Sequence, residues 1–188
     1  MSFGLILLAV SVIWVASEVM LVVLRRSNAG SQDRDAGSLL WLNVVIYGSV
    51  TVAVSIGLTG HGLMNGARHV LPWIGLVLIV LGLAIRWTAI LTLRQYFTVD
   101  VAIQADHRII QKGLYRFVRH PAYTGAIVSF LGLGMAFSNW LAICVILVPV
   151  FIAFSKRIQI EEQALMDEFG TKYTEYCRNT RRLLPWIY

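Results

Sequence analysis

Three places in the 188-residue chain carry side chains able to do chemistry, and each lies against apolar sequence. Arg86 sits in LAIRWTAIL; Arg157, Glu161 and Glu162 open KRIQIEEQALMDEFG; and HRIIQKGLYRFVRHPAYTG, residues 107 to 125, holds His107, Arg108, Tyr115, His120 and Tyr123. A guanidinium grips a carboxylate or phosphate through parallel N–H donors. A carboxylate accepts from ammonium and hydroxyl groups, and an imidazole exchanges a proton near neutral pH. The set suits an anion site beside a site for a polar cofactor. Each member also has a plainer reading: Arg86 as a snorkelling arginine or the ion-pair partner of Glu18, Arg157 with Glu161 as an i, i+4 surface pair, and His120 as a helix-start residue.

The elements that position these residues are membrane helices. The chain is 57% hydrophobic and 14% charged, with mean hydropathy +0.70, too apolar for a soluble domain of this size. Windows at 3 to 24, 39 to 59, 70 to 93, 120 to 137 and 140 to 156 approach the roughly 20 apolar residues that cross a bilayer, which predicts an all-α integral membrane protein with about five transmembrane helices. The first window has no basic n-region and no small-residue cleavage site, and reads as a retained helix. Only Ser138-Asn139 separates the last two windows, so they form a tight helical hairpin. Arg157 to about Arg178 reads as a separate amphipathic helix with an apolar stripe of Ile158, Leu165, Phe169, Tyr173 and Tyr176, onto which Glu162 falls. No fixed repeat is visible, and one domain, 1 to 188, is expected: three spans in 1 to 93, then a cofactor loop, hairpin and tail in 94 to 188.

Formal charge is +6, but the basic residues fall in loops between spans, as in membrane proteins rather than nucleic-acid binders. With 25 to 38, 94 to 119 and 156 to 188 on one side, that side holds 14 of the 16 Lys and Arg. The bias places the N-terminus outside and both the long loop and the tail in the cytoplasm. Arg116 and Arg119 belong to this excess. Cys144 and Cys177 show no metal-ligand or disulfide spacing, so no metal is expected. Between 94 and 119, short apolar pairs such as Ile109-Ile110, broken by Gly113, leave backbone groups free at the interface, which suits a polar cofactor. Pro121 fits the first helical turn.

Several ordered blocks resemble the isoprenylcysteine carboxyl methyltransferase family: FTV at 97 to 99, HRIIxxGLYRxxRHPxYxG at 107 to 125, RxxxEE at 157 to 162, EFGxxYxxY at 168 to 176 and RLLP at 182 to 185. The likeness spans roughly 86 to 186. It implies a helical membrane methyltransferase that uses S-adenosylmethionine, with S-adenosylhomocysteine as product and no Rossmann fold. Carried over by position, it implies cofactor contacts at His107, Arg108, Ile109, Ile110, Tyr115, His120, Pro121, Ala122, Tyr123 and Glu161. It implies a substrate contact at Arg157 and an essential, substrate-binding arginine at Arg86. Where the family often continues its acidic run, this chain has Gln163 after Glu161-Glu162, so the roles of the two glutamates stay open and Glu162 stands as a catalytic candidate.

The implied reaction is methyl transfer to the carboxylate of an isoprenoid or lipid-like acceptor, with membrane lipid around it. A carboxylate is already ionised at neutral pH, so the reaction needs alignment more than a base. A thiol or phospholipid-amine acceptor would call on Glu161, Glu162 or His120 as a base. An NADPH-dependent reductase of the sterol-reductase type and a non-enzymatic membrane scaffold are the other readings. Oligomeric state is not legible in the sequence.

Overall fold

The computed structural model describes residues 2–24, 37–99 and 108–185. Among the described residues six α-helices follow in order: α1 (Phe3–Leu24), α2 (Ser38–Thr59), α3 (Leu71–Leu93), α4 (Pro121–Ala136), α5 (Trp140–Phe169) and α6 (Thr171–Asn179). Short 3-10 turns cover Asn65–Ala67, Arg94–Tyr96 and Gly113–Arg116. Four helices, α1, α2, α3 and α5, are long and apolar enough to cross a bilayer. At 16 residues α4 is shorter, about 24 Å of rise. Side chains such as Ile13, Val23, Leu40 and Val77 face outward, as lipid contact requires. The protein is an integral membrane protein.

Helix α3 packs most closely on α4, and two glycine pairs explain why. A methyl group built on Gly82 would stand 2.5 Å from the Gly125 carbonyl oxygen, and one on Gly125 would stand 2.6 Å from the Arg86 amide nitrogen. Two turns away, Gly75 and Gly132 repeat the contact: a methyl group on either would stand 2.5 Å from the other's carbonyl oxygen. Small residues let membrane helices meet backbone to backbone where hydrophobic driving force is weak. The Arg86 backbone is part of this contact. Helix α2 lies against α5 through Ala53, Ala142, Ile146, Val150 and Ala153, and Trp14, Ile79, Phe130 and Phe154 complete the same core. Helix α1 is the loosest member, with only Trp14 and Leu21 buried.

The α4–α5 turn is as tight as its two-residue link requires. Ser138 takes φ 49°, the Asn139 side chain accepts from the Ala142 N–H at 3.1 Å, and its amide donates to the His61 carbonyl at 2.6 Å. The tail differs from expectation. No helix begins at Arg157; α5 runs unbroken through it and ends only at Gly170, which takes φ 51°. Lys156-Arg157 ends the apolar run of the sequence, but no breaker occurs there to end the helix. The stripe packs on the protein itself, with Ile158, Tyr173 and Tyr176 buried.

Beyond α6 the chain forms a strap across the start of α4. The Arg119 N–H donates to the Arg181 carbonyl (2.7 Å), the His120 N–H to that of Arg182 (3.0 Å), and the Arg181 N–H to that of Phe117 (3.1 Å). The Thr124 hydroxyl adds a bond to the Leu183 carbonyl at 2.7 Å.

Candidate functional site

The chemistry-bearing residues gather at one end of the bundle, around His120. His120 caps α4 and is buried, with Glu161 Oε2 3.5 Å from Nδ1 and Glu162 Oε1 3.4 Å from Nε2. Burial opposes a charge on the ring, but the contacts and fields of the two carboxylates outweigh it and hold its pKa above the ordinary histidine value.

The two glutamates divide here. Glu161 keeps a quarter of its side chain exposed, accepts a short hydrogen bond from the Tyr123 hydroxyl at Oε1, and has Arg157 Nε 3.3 Å from the same oxygen. Glu162 is buried between Arg119, whose Nε donates to Oε1 at 2.8 Å, and Arg182, whose Nε and Nη2 reach Oε2 at 2.9 and 2.8 Å. Arg119 also donates through Nη1 to the Thr180 carbonyl at 2.6 Å. Arg119 is therefore largely enclosed and tied to Glu162 and the tail, not merely one more solvent-facing positive charge. Glu162 on the apolar stripe was the signal that a cation must face it. Arg116, by contrast, is exposed, stacked at 4.8 Å over the Phe117 ring.

Tyr115 is buried in the 3-10 turn ahead of α4, and the Tyr176 hydroxyl donates to its carbonyl at 2.6 Å. Burial pushes the Tyr115 phenol well above its ordinary pKa. Arg108, Ile109 and Ile110 run as irregular backbone. His107 lies outside the described residues, as do residues 25–36 of the first loop.

Arg86 pairs with Glu18 of α1: Nε to Oε1 at 2.6 Å and Nη2 to Oε2 at 2.7 Å. Its Nη1 donates to the Ala122 carbonyl at 3.2 Å. Arg157 is 2% exposed, donating to the Ser38 hydroxyl and to the Val99 carbonyl at 2.9 Å. It ties the start of α2 and the end of the FTV block to α5.

A cavity of about 810 Å³ joins these parts. Its polar end is lined by Arg86, Glu18, Tyr115, His120, Tyr123 and Glu161, with Arg108, Ile109, Ile110 and Ala122 beside them. Its apolar reach runs between α1 and α2 past Trp14, Leu42 and Phe130. Of the site residues expected from sequence, Pro121, Arg157 and Glu162 lie off this wall, Pro121 buried at the first turn of α4.

Residues 73–167, just over half of the chain, match the model of the isoprenylcysteine carboxyl methyltransferase (ICMT) family. A probable protein-S-isoprenylcysteine O-methyltransferase of Oryza sativa subsp. indica is 33% identical over 117 residues, which are 61% of each chain. The protein-S-isoprenylcysteine O-methyltransferase of Tribolium castaneum is 34% identical over 121 residues, 63% of this chain and 43% of that one. A solved structure of the eukaryotic intramembrane Ras methyltransferase ICMT superposes with TM-score 0.64 and 28% identity, covering 86% of this chain and 55% of the other. The chain thus spans between about two fifths and three fifths of the length of these relatives. The matched stretch contains the α3–α4 glycine contact, Arg86, the RHPxY block and both glutamates, and on that match the chain belongs to the isoprenylcysteine carboxyl methyltransferase family.

Proposed function

We propose that the protein transfers a methyl group from S-adenosylmethionine to the carboxylate of a prenylcysteine or similar isoprenoid acceptor. The carrying observation is the single cavity with a charged end at Glu161, Tyr123 and His120 and an apolar reach between α1 and α2. A polar donor and a lipid tail need such joined but unlike compartments.

The donor set fits the cofactor. Glu161 offers a partly exposed carboxylate to an ammonium or ribose hydroxyls. Irregular backbone at 108–110 and the aromatic face of Tyr115 suit a polar, flat ligand. When bound, the sulfonium supplies a methyl group already activated for displacement. The chain's own part is positioning: Arg157 and the Tyr123 hydroxyl orient Glu161, Arg86 holds the acceptor carboxylate, and α1 with α2 shield the tail from water. Alignment of this kind supplies much of a barrier reduction when the nucleophile is already ionised. Arg157, buried on protein partners, acts as a positioning residue. Glu162 keeps the strap on α4 and so keeps His120 and Tyr123 in place.

Membrane charge bias supports a cytoplasmic pocket, since residues 94–99, 108–120 and the tail share one end of the bundle. Purified protein should bind S-adenosylhomocysteine by calorimetry and label a prenylcysteine from radiolabelled S-adenosylmethionine. Absence of cofactor binding, with protection by NADPH instead, would overturn the reading.

A further inference from the structure

Glu18 and Arg86 lie on different helices, 68 residues apart, yet meet as a side-on fork with both carboxylate oxygens engaged, at 2.6 and 2.7 Å. That edge of a guanidinium is the one that recognises a carboxylate bidentately. Both side chains line the cavity. The two partners differ in freedom. The Arg86 backbone is clamped where Gly125 meets α3, and its Nη1 is tied to Ala122. Glu18 is 32% exposed in its side chain, against 15% for Arg86, and belongs to the helix with only two buried residues. The arginine is fixed and the glutamate can leave.

We propose that Glu18 is a resident stand-in for the acceptor carboxylate: it occupies Arg86 while the acceptor site is empty, cedes that edge to the incoming carboxylate, and reclaims it once the carboxylate has become an ester. This rests on Arg86 being the acceptor-binding arginine of the proposed function. An unpaired guanidinium at this depth in a span is costly, so a counter-ion is needed between turnovers. Exchange of one carboxylate for another keeps the charge balance and makes the site selective for an anion that offers two oxygens.

Transfer joins the methyl carbon to a carboxylate oxygen while the electron pair of the breaking carbon–sulfur bond stays on sulfur. The acceptor's negative charge and the sulfonium's positive charge vanish together. Arg86 then faces a neutral ester, a far weaker partner than an ionised carboxylate. Return of Glu18 restores the fork and expels the product. Glu18 is in this sense a positioning residue for Arg86 and a release device.

The test compares wild type, Glu18→Gln and Glu18→Asp of the full chain in lipid nanodiscs. Calorimetry measures binding of S-farnesylcysteine and its methyl ester, and steady-state kinetics gives KM and kcat. A ligand that must displace an internal competitor binds more weakly by the fraction of time the site is occupied. Glu18→Gln should therefore bind the carboxylate about threefold tighter or more, lower KM alike, lower kcat and strengthen inhibition by the ester. Glu18→Asp should return all four toward wild type. S-Adenosylhomocysteine affinity, equal in all three, reports an intact fold. Unchanged or weaker carboxylate binding by Glu18→Gln, with that affinity preserved, overturns the stand-in role alone. A wild type that neither binds nor methylates the prenylcysteine overturns the acceptor reading and the proposal with it.

Discussion

Glu161 and Glu162 are consecutive on α5, yet their carboxylates face different surroundings. Glu161 meets the cavity, with the Tyr123 hydroxyl on Oε1, while Glu162 closes a buried cluster with Arg119 and Arg182. One helical step of rotation separates a cavity-facing group from one enclosed by arginines.

Glu161→Gln should weaken S-adenosylhomocysteine binding about tenfold or more, since a charge-assisted bond is worth about 1.5 to 3 kcal/mol, with a smaller loss of thermal stability from its weakened contacts to Arg157 and His120. Glu162→Gln should do the reverse. Removing one member of a buried charge cluster costs about 3 kcal/mol, roughly 6 to 12 °C in Tm for a chain of this size. Calorimetry and thermal unfolding in detergent read the two effects separately.

Arg86→Ala should lower methyl transfer about 100-fold through lost alignment of the acceptor, with S-adenosylhomocysteine affinity held within about twofold of wild type. Filter-binding assays with labelled donor, alongside calorimetry, check the split.

Gly125→Ala should destabilise the bundle by about 1 to 3 kcal/mol through overpacking, because its methyl group would meet the Gly82 carbonyl oxygen at 2.5 Å and the Arg86 amide at 2.6 Å. Gly48→Ala is the control. It lies within α2 with nothing within 4 Å of the added carbon, so the better helix former should be neutral or stabilising by about 0.5 to 1 kcal/mol.

The pKa of His120 is raised in the folded protein, burial opposing the charge and the Glu161 and Glu162 carboxylates overcoming it. Its stabilising contribution is therefore fully present below the unfolded value of about 6.5 and is lost as pH rises through the higher folded value. Wild-type Tm should fall over that window on the alkaline side of 6.5, and His120→Asn should flatten that part of the profile.

Ending the chain after Thr180 removes Arg182 and the strap over residues 117–124. Cofactor binding should be lost while the apolar helices stay inserted. Calorimetry together with protease protection in vesicles distinguishes this from global unfolding.

The helices were legible because hydrophobic length is a local property, and the hairpin because only two residues join its arms. Glu18 opposite Arg86 was legible too, since two opposite charges at similar depth in apolar helices invite pairing. The unbroken α5 was not read. A charge run at Lys156-Arg157 looks like a boundary, although nothing from there to Gly170 prevents a helix from continuing. The pairing of Arg119 is not legible in the sequence, because an unpaired loop arginine and one folded onto a buried carboxylate have the same local sequence. Only the tertiary partner, Glu162, 43 residues away, separates them.

The unbroken α5 also fixes a height. From Trp140 to Glu161 it rises about 32 Å, close to the hydrocarbon thickness of about 30 Å. A helix set straight across the bilayer with Trp140 at one interface would bring Glu161 near the opposite boundary. A thinner bilayer would then leave that end of the cavity in water and a thicker one would bring acyl chains over it. In that arrangement the thickness of the host membrane would bear on how wet the Glu161 end of the cavity is.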